Sequence, residues 1–515
     1  MALVLCIPLI ALAAEKQTPS PVVYDIAINN GRVIDPETGL DAQRNIGIRH
    51  GKIATITGKE ITAQRAIDAR GKIVAPGFID THVHAPDLPL NQRMLARDGV
   101  TTALDLENGA YPFARWYARL EGNSYINFGA SVSSIAVREA LANPAYNSIT
   151  GSSAIDLFKD AERSNFSKAW VDTRFSDRQL DQLKQMLLSE IEQGAIGVGL
   201  SLAYHSSGTT SREADIYQEA AAESGALVAV HGRYFGDRPP HTGLVGLEEY
   251  IAKAFTIGGG LLLVHLPTNA LQDTGLALQT YLKARQKGLS ILAEVSPYAF
   301  ATTMLQAEFL QPDAFESATG LDISNVSLAA TGEPLTRERY SQAMASNPGQ
   351  PVIVNLGHDN AIRTAVTFPY VVIASDALVY QEKGTGRLVE HFDANLDELS
   401  AHPRTTGAHA RVLRLNREEN LMSWSEVLAK LSLYQAQFLQ ENGVPQMRYK
   451  GRIQQGMDAD ITIFDPETVR DNATLETPAR PSTGIPYVLV NGQMVVDNGA
   501  VVKTAKAGVG IRHRK

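Results

Sequence analysis

The sequence predicts an α/β fold, a (β/α)8 barrel of the TIM type carrying a small β-sandwich domain formed from both chain ends. Three observations lead there. Short apolar runs alternate with longer helical stretches through residues 76–441, β-rich segments are confined to the two ends, and several apolar runs close on a histidine or a carboxylate. A strand, helix, strand rhythm of roughly 30 residues per unit implies a parallel sheet. At 515 residues the chain is long enough to close eight such units and still carry a satellite domain.

The chain opens on MALVLCIPLIALAA (1–14), an apolar run ending in small residues and followed by the polar EKQTPSP. This reads as a secretory signal peptide, which places the mature chain in the periplasm or outside the cell. The run is shorter than the ~20 residues a membrane-crossing helix needs, so no membrane insertion is expected of the mature form. Its Cys6 is the only cysteine. The mature chain therefore has neither disulfides nor thiolate ligands, and any metal must be held by His, Asp or Glu.

Residues 20–75 carry VVYDIAI, GRVID, NIGIRH and KIATI, and residues 442–515 carry ADITIFD, YVLVNGQMVVDNG and VVKTA. Either set alone would leave a sheet face uncovered, so the two are expected to pair. The closing Arg512-His513-Arg514-Lys515 reads as a frayed terminus. With a formal charge of −8, 44% hydrophobic and 20% charged residues, the chain has the balance of a globular enzyme and lacks the basic surface that phosphate backbones require. The partner expected is a small-molecule substrate, with no nucleic acid; a homo-oligomer stays open.

Between the ends, APGFID, TTALDL, GALVAVH, GLLLVH, LSILAEV and YVVIASD alternate with helical stretches such as DRQLDQLKQMLLSEIEQG. The segment from about 300 to 350 breaks the rhythm and reads as an insertion over the barrel mouth.

The sharpest signal is Pro76-Gly77-Phe78-Ile79-Asp80-Thr81-His82-Val83-His84. Two histidines two apart at a strand end point to one side and can share a metal. Val230-His231, Val264-His265 and Ala374-Ser375-Asp376 close three further runs, at spacings that assign the candidates to strands one, two, five, six and eight. Glu107 ends Thr101-Thr102-Ala103-Leu104-Asp105-Leu106-Glu107, where 103, 105 and 107 are expected to share a face with 107 nearest the top. Imidazoles mixed with carboxylates suit a divalent metal, Zn²⁺ first, as one or two ions. Such a site activates water and polarises a carbonyl, while an unshared carboxylate, assigned to Asp376, shuttles the proton.

These residues resemble the amidohydrolase superfamily. Nearly the whole mature chain is similar to its N-acyl-D-amino-acid deacylase (D-aminoacylase) branch, through Gly197-Val198-Gly199-Leu200-Ser201 with Tyr204, His402-Pro403-Arg404 with Gly407, Gly451 to Asp460 leading to Phe464-Asp465-Pro466, and Arg480-Pro481-Ser482-Thr483-Gly484-Ile485 leading to Val490-Asn491-Gly492. The resemblance implies that His82, His84, His231, His265 and Asp376 are metal-site residues, with Asp376 also the general acid/base. It further implies that Arg404 clamps a substrate carboxylate, that Tyr298 is the aromatic at the mouth, and that Tyr204 binds substrate. The chain departs from the branch in offering Glu107 one position away from where a cysteine is usual, so that a carboxylate must replace the thiolate, and Val132 to Arg138 lacks its His-Gly. The activity expected is hydrolysis of an N-acyl amino acid, preferentially the D form. Hydrolysis of a cyclic amide, a lactone or another small amide stays open, as does a catalytically silent binding protein on the same fold.

Overall fold

The computed structural model describes residues 24–158, 161–167 and 169–514. The segment read as a signal peptide, with Cys6, lies outside the described residues. An eight-stranded parallel sheet forms the centre. Its strands are β1 (Phe78–Asp80), β2 (Val100–Ala110), β3 (Asn127–Ser133), β4 (Gly197–Ser201), β5 (Leu227–His231), β6 (Gly260–Leu263), β7 (Ile291–Val295) and β8 (Val371–Ile373). They pair in sequence order, and an isolated parallel bridge between Val83 and Ala377 joins the two edges just beyond β1 and β8.

Period-two patterning makes this sheet a barrel. Ile79, Leu104, Leu227, Ala229, Leu262, Leu292 and Val372 form one apolar cluster, which fills the interior. Their neighbours Phe78, Ala103, Val228, Val230, Leu261, Ala293 and Val371 belong to another, packed with the surrounding helices. The interior cluster continues into Phe438, Leu439, Met447 and Ile511, which plug the floor. The terminus expected to fray is part of this plug. Ile511 N donates to Phe128 O at 2.7 Å, His513 N to Gly194 O at 3.0 Å, and the Arg512 guanidinium lies 3.5 Å from the centre of the Tyr117 ring.

The two chain ends meet in a nine-stranded sheet. Strand Ile73–Pro76 runs antiparallel to Ile461–Phe464, with Pro76 opposite Ile461, and leads straight into β1. A buried ion pair ties this sheet to the barrel: Lys450 Nζ lies 2.7 Å from Asp460 Oδ2, which also accepts from Asn127 Nδ2 on β3 at 2.9 Å. Between β7 and β8 the strands Phe300–Met304, Val326–Leu328 and Pro351–Asn355 form a small antiparallel sheet with its own apolar cluster around Leu305, Phe315, Val326 and Val352. No helix among the described residues is long and apolar enough to cross a membrane.

The helix Arg404–Glu419 is broken at Gly407, whose backbone is non-helical at φ −143°, ψ 25°. Restarting a helix frees N–H groups that need an acceptor. Asp98 supplies it, accepting from His409 N at 2.8 Å, Ala410 N at 3.2 Å, His409 Nδ1 at 3.0 Å and Ser482 Oγ at 2.6 Å. Asp98→Ala strands these buried donors and is expected to cost about 3 kcal/mol of stability, read by chemical denaturation. A loss below about 1 kcal/mol contradicts this account of the kink.

Candidate metal centre

Alternation explains part of the site. Leu227 and Ala229 face the barrel interior, so His231, two residues on, is turned inward as well. Asp376 follows Val372 by the same parity, and Glu294 follows Leu292. His265 breaks the rule, because Leu262 and Val264 already hold the interior positions of its strand. Its backbone is left-handed at φ 31°, ψ 49°, which redirects the ring. Asp376 is also left-handed, at φ 54°. Such conformations are costly for side-chain-bearing residues and persist where surrounding structure enforces them.

Glu107 reaches the site by another route than the one its sequence suggested. Ala103 packs outward while Leu104 and Leu106 are interior, so simple alternation would send Glu107 to the helices. The β2–β3 ladder instead jumps from Asp105↔Ala130 to Ala110↔Val132, and the residues between form a bulge. Asp105 Oδ1 accepts from Asn108 N at 3.2 Å and Gly109 N at 2.9 Å, and Ser131 Oγ donates to Leu106 O at 2.6 Å. Gly199 makes room for it: a Cβ there would lie 2.6 Å from Glu107 O and 2.7 Å from Leu106 O. The Gly-Val-Gly-Leu-Ser run of β4 thus has a steric reason.

The bulge and the strand ends bring six donors together. His82 Nε2 is 3.2 Å from His84 Nε2, 3.0 Å from Glu107 Oε2 and 3.4 Å from Asp376 Oδ1. His84 Nε2 is 3.3 Å from Glu107 Oε2 and 3.4 Å from Asp376 Oδ1. Glu107 Oε1, the other oxygen, is 3.1 Å from His231 Nδ1, whose ring centre lies 4.5 Å from that of His265. All six residues are buried. Burial disfavours charge on His84, but hydrogen bonds that its ring donates to Asp376 and Glu107 overcome it and raise its pKa to about 9. Burial, then the neighbouring His231, pushes His265 down to about 3.

The arrangement fits a divalent cation. His82, His84 and Glu107, then Glu107, His231 and His265, then His82, His265 and Asp376, each offer donor atoms within 4.8 Å of one another. His265 Nδ1 is buried with no hydrogen-bond partner. Unpaired imidazole nitrogens are costly in a dry pocket, and coordination is one way to satisfy them.

Of the residues expected to bind substrate, Tyr204 lines the cavity that also exposes His84, Glu107, His265 and Asp376, and its hydroxyl is 2.7 Å from Thr303 Oγ1. Arg404 is buried behind the site, its Nη2 2.6 Å from Asp376 Oδ1 and its Nε without a partner. Tyr298, expected at the mouth, is, like Arg404, outside the cavity lining. Its ring is buried, 4.5 Å from the Arg411 guanidinium and 5.3 Å from the His402 ring.

Sequence reasoning missed Glu294, which accepts from His82 Nδ1 in a very short contact and from Thr81 Oγ1 at 3.0 Å. Its signal was a lone acid inside the apolar run LSILAEV, since a buried carboxylate needs a dedicated partner. By accepting at Nδ1 it leaves His82 Nε2 free to face the other donors, the usual way that ligating imidazoles are oriented. Glu294→Leu is expected to weaken divalent-cation affinity about 10–100-fold by chelator competition. Gly199→Ala should weaken it too, by displacing the bulge that carries Glu107; wild-type affinity in both variants would refute this picture.

Comparison with known proteins agrees with this fold. Residues 337–496 match the model of the amidohydrolase family. The chain is 26% identical over 496 residues to N-acyl-D-glutamate deacylase of Alcaligenes xylosoxydans xylosoxydans, covering 91% of this chain and 93% of that one. It is 24% identical over 503 residues to D-aminoacylase of the same organism, covering 92% and 94%. The solved structure of N-acyl-D-glutamate deacylase from Bordetella bronchiseptica, complexed with zinc and a phosphonate inhibitor, superposes with a TM-score of 0.73 at 24% identity, covering 95% of this chain and 100% of that one. Residues 337–496 thus match the amidohydrolase family, and nearly the whole chain is similar to N-acyl-D-glutamate deacylase and D-aminoacylase.

Proposed function

We propose that the chain hydrolyses the amide bond of N-acyl amino acids, preferentially of the D series, using a divalent cation, zinc first, that His82, His84, Glu107, His231, His265 and Asp376 would hold. The observation that carries this reading is the division of labour within Glu107: one oxygen faces His82 and His84, the other faces His231 beside His265. When bound, such cations supply Lewis-acid chemistry, polarising the amide carbonyl and acidifying water.

The chain's own groups do the rest. Asp376 lies within 3.4 Å of both His82 and His84, and it stays ionised because Arg404, ahead of His82 and His84, outweighs the effect of burial on its carboxyl. It is the base that accepts a proton from water and then, as acid, delivers it to the leaving nitrogen. Arg404 receives the substrate carboxylate, for which its unpartnered Nε is an open donor. Tyr204, edge-on to His231 at 5.1 Å between ring centres, forms part of the wall against which the acyl amino acid is held.

The test is an assay of zinc-loaded protein on paired N-acetyl-D- and N-acetyl-L-amino acids. D substrates should be cleaved in preference, and Asp376→Asn should lower kcat about 10²–10⁴-fold while the protein still binds metal. Failure to cleave either enantiomer with metal bound would discard the reading.

A further inference from the structure

Asn108 follows Glu107 on the bulge of β2 and lines the same cavity. Its side chain is a buried amide that the proposed chemistry does not use, and no group among the described residues donates to its Oδ1. An unpaired buried carbonyl oxygen is costly, and where a native structure keeps one, a ligand or an ordered water commonly completes it.

This amide stands on a fixed stem. Asp105 Oδ1 holds the N–H groups of both Asn108 and Gly109, and Ser201 Oγ donates to the Glu107 carbonyl at 3.3 Å. Gly109 turns at φ 72°, and a Cβ there would lie 2.7 Å from Ser131 O and 3.0 Å from Ser133 N, so the chain beyond Asn108 packs directly against β3. Neighbouring polar groups of the lining are already engaged. The Tyr204 hydroxyl is paired with Thr303, the Ser201 hydroxyl is donated to the bulge, and Glu107 and Asp376 belong to the donor set for the cation.

The substrate has one group that matches. Apart from its side chain, an N-acyl amino acid brings a carbonyl oxygen and two carboxylate oxygens, all acceptors, and a single donor, the amide N–H. The carbonyl suits the cation and the carboxylate suits Arg404, which leaves the N–H in need of an acceptor. During cleavage the nitrogen keeps that hydrogen. As the C–N bond breaks, its electron pair stays on nitrogen and takes the proton that Asp376 delivers, giving the free amine. An acceptor that holds the resident hydrogen orients the nitrogen while the new one arrives.

We propose that Asn108 Oδ1 accepts the N–H of the scissile amide, so that the centre selects secondary amides over analogues that lack this hydrogen. The inference rests on the deacylase reading above. It is tested on the zinc-loaded full chain by calorimetric binding of N-(methylphosphonyl)-D-leucine and of the counterpart in which oxygen replaces the nitrogen. The N–H compound should bind at least about tenfold more tightly. Asn108→Ala, with zinc content checked against the parent, should lower kcat/KM on N-acetyl-D-leucine about tenfold more than on the matching O-acetyl ester of the 2-hydroxy acid. Equal binding of the two phosphonyl compounds by the parent, or equal losses on amide and ester in the variant, would overturn this inference while cleavage of N-acetyl-D-leucine keeps the deacylase reading standing. Failure of the parent to cleave N-acetyl-D-amino acids with zinc bound would overturn both, and the parent's binding pair decides the matter even if the variant does not fold.

Discussion

The site depends on one seam, where the first barrel strand meets the last. Asp80 Oδ1 accepts from His82 N on its own strand and from Ser375 N across the seam, each at 3.1 Å. His84 N donates to Ala377 O at 2.8 Å, and Ser375 Oγ donates to His82 O at 3.3 Å. His82 and His84 stand on one side of this stitching and Asp376 on the other. Residues from distant parts of the sequence thus become neighbours because a fully buried carboxylate is satisfied by backbone donors from both strands. The seam closes the barrel, and closing the barrel assembles the donors.

The fold was legible because its signals are repetitive. Strand, helix, strand periodicity, apolar runs of strand length and β-rich ends each point to the same architecture, and errors in one unit are corrected by the others. The segment that broke the rhythm near 300–350 folds as a separate small sheet between β7 and β8. The terminal Arg512-His513-Arg514 was misread because local charge suggests solvent, whereas its partners, Tyr117, Gly194 and Gly443, are remote in sequence. Composition near a terminus says nothing about a groove formed elsewhere.

Site residues were legible where parity holds and obscure where the backbone departs from it. His231 and Asp376 extend the interior alternation of their strands and could be found by counting. His265 and Glu107 occupy positions that counting assigns to the outer face; a left-handed residue and a bulge bring them in. The reason first given for Glu107, a face shared with Ala103, does not hold, although the residue does meet the others. Tyr298 shows the converse: a plausible motif context places it near the mouth, but packing with Arg411 and His402 takes it away from the cavity. Glu294 escaped notice because a single acid within an apolar strand has no spacing to read, only an energetic improbability.

The pairing of Ile73–Pro76 with Ile461–Phe464 has a consequence for biosynthesis. While the ribosome is still making the barrel, the early strands carry a naked hydrogen-bonding edge whose mate has not yet been translated. Exposed edges of this sort invite mispairing with other chains. Ile73–Pro76 therefore gains this partner only after the whole barrel has been made.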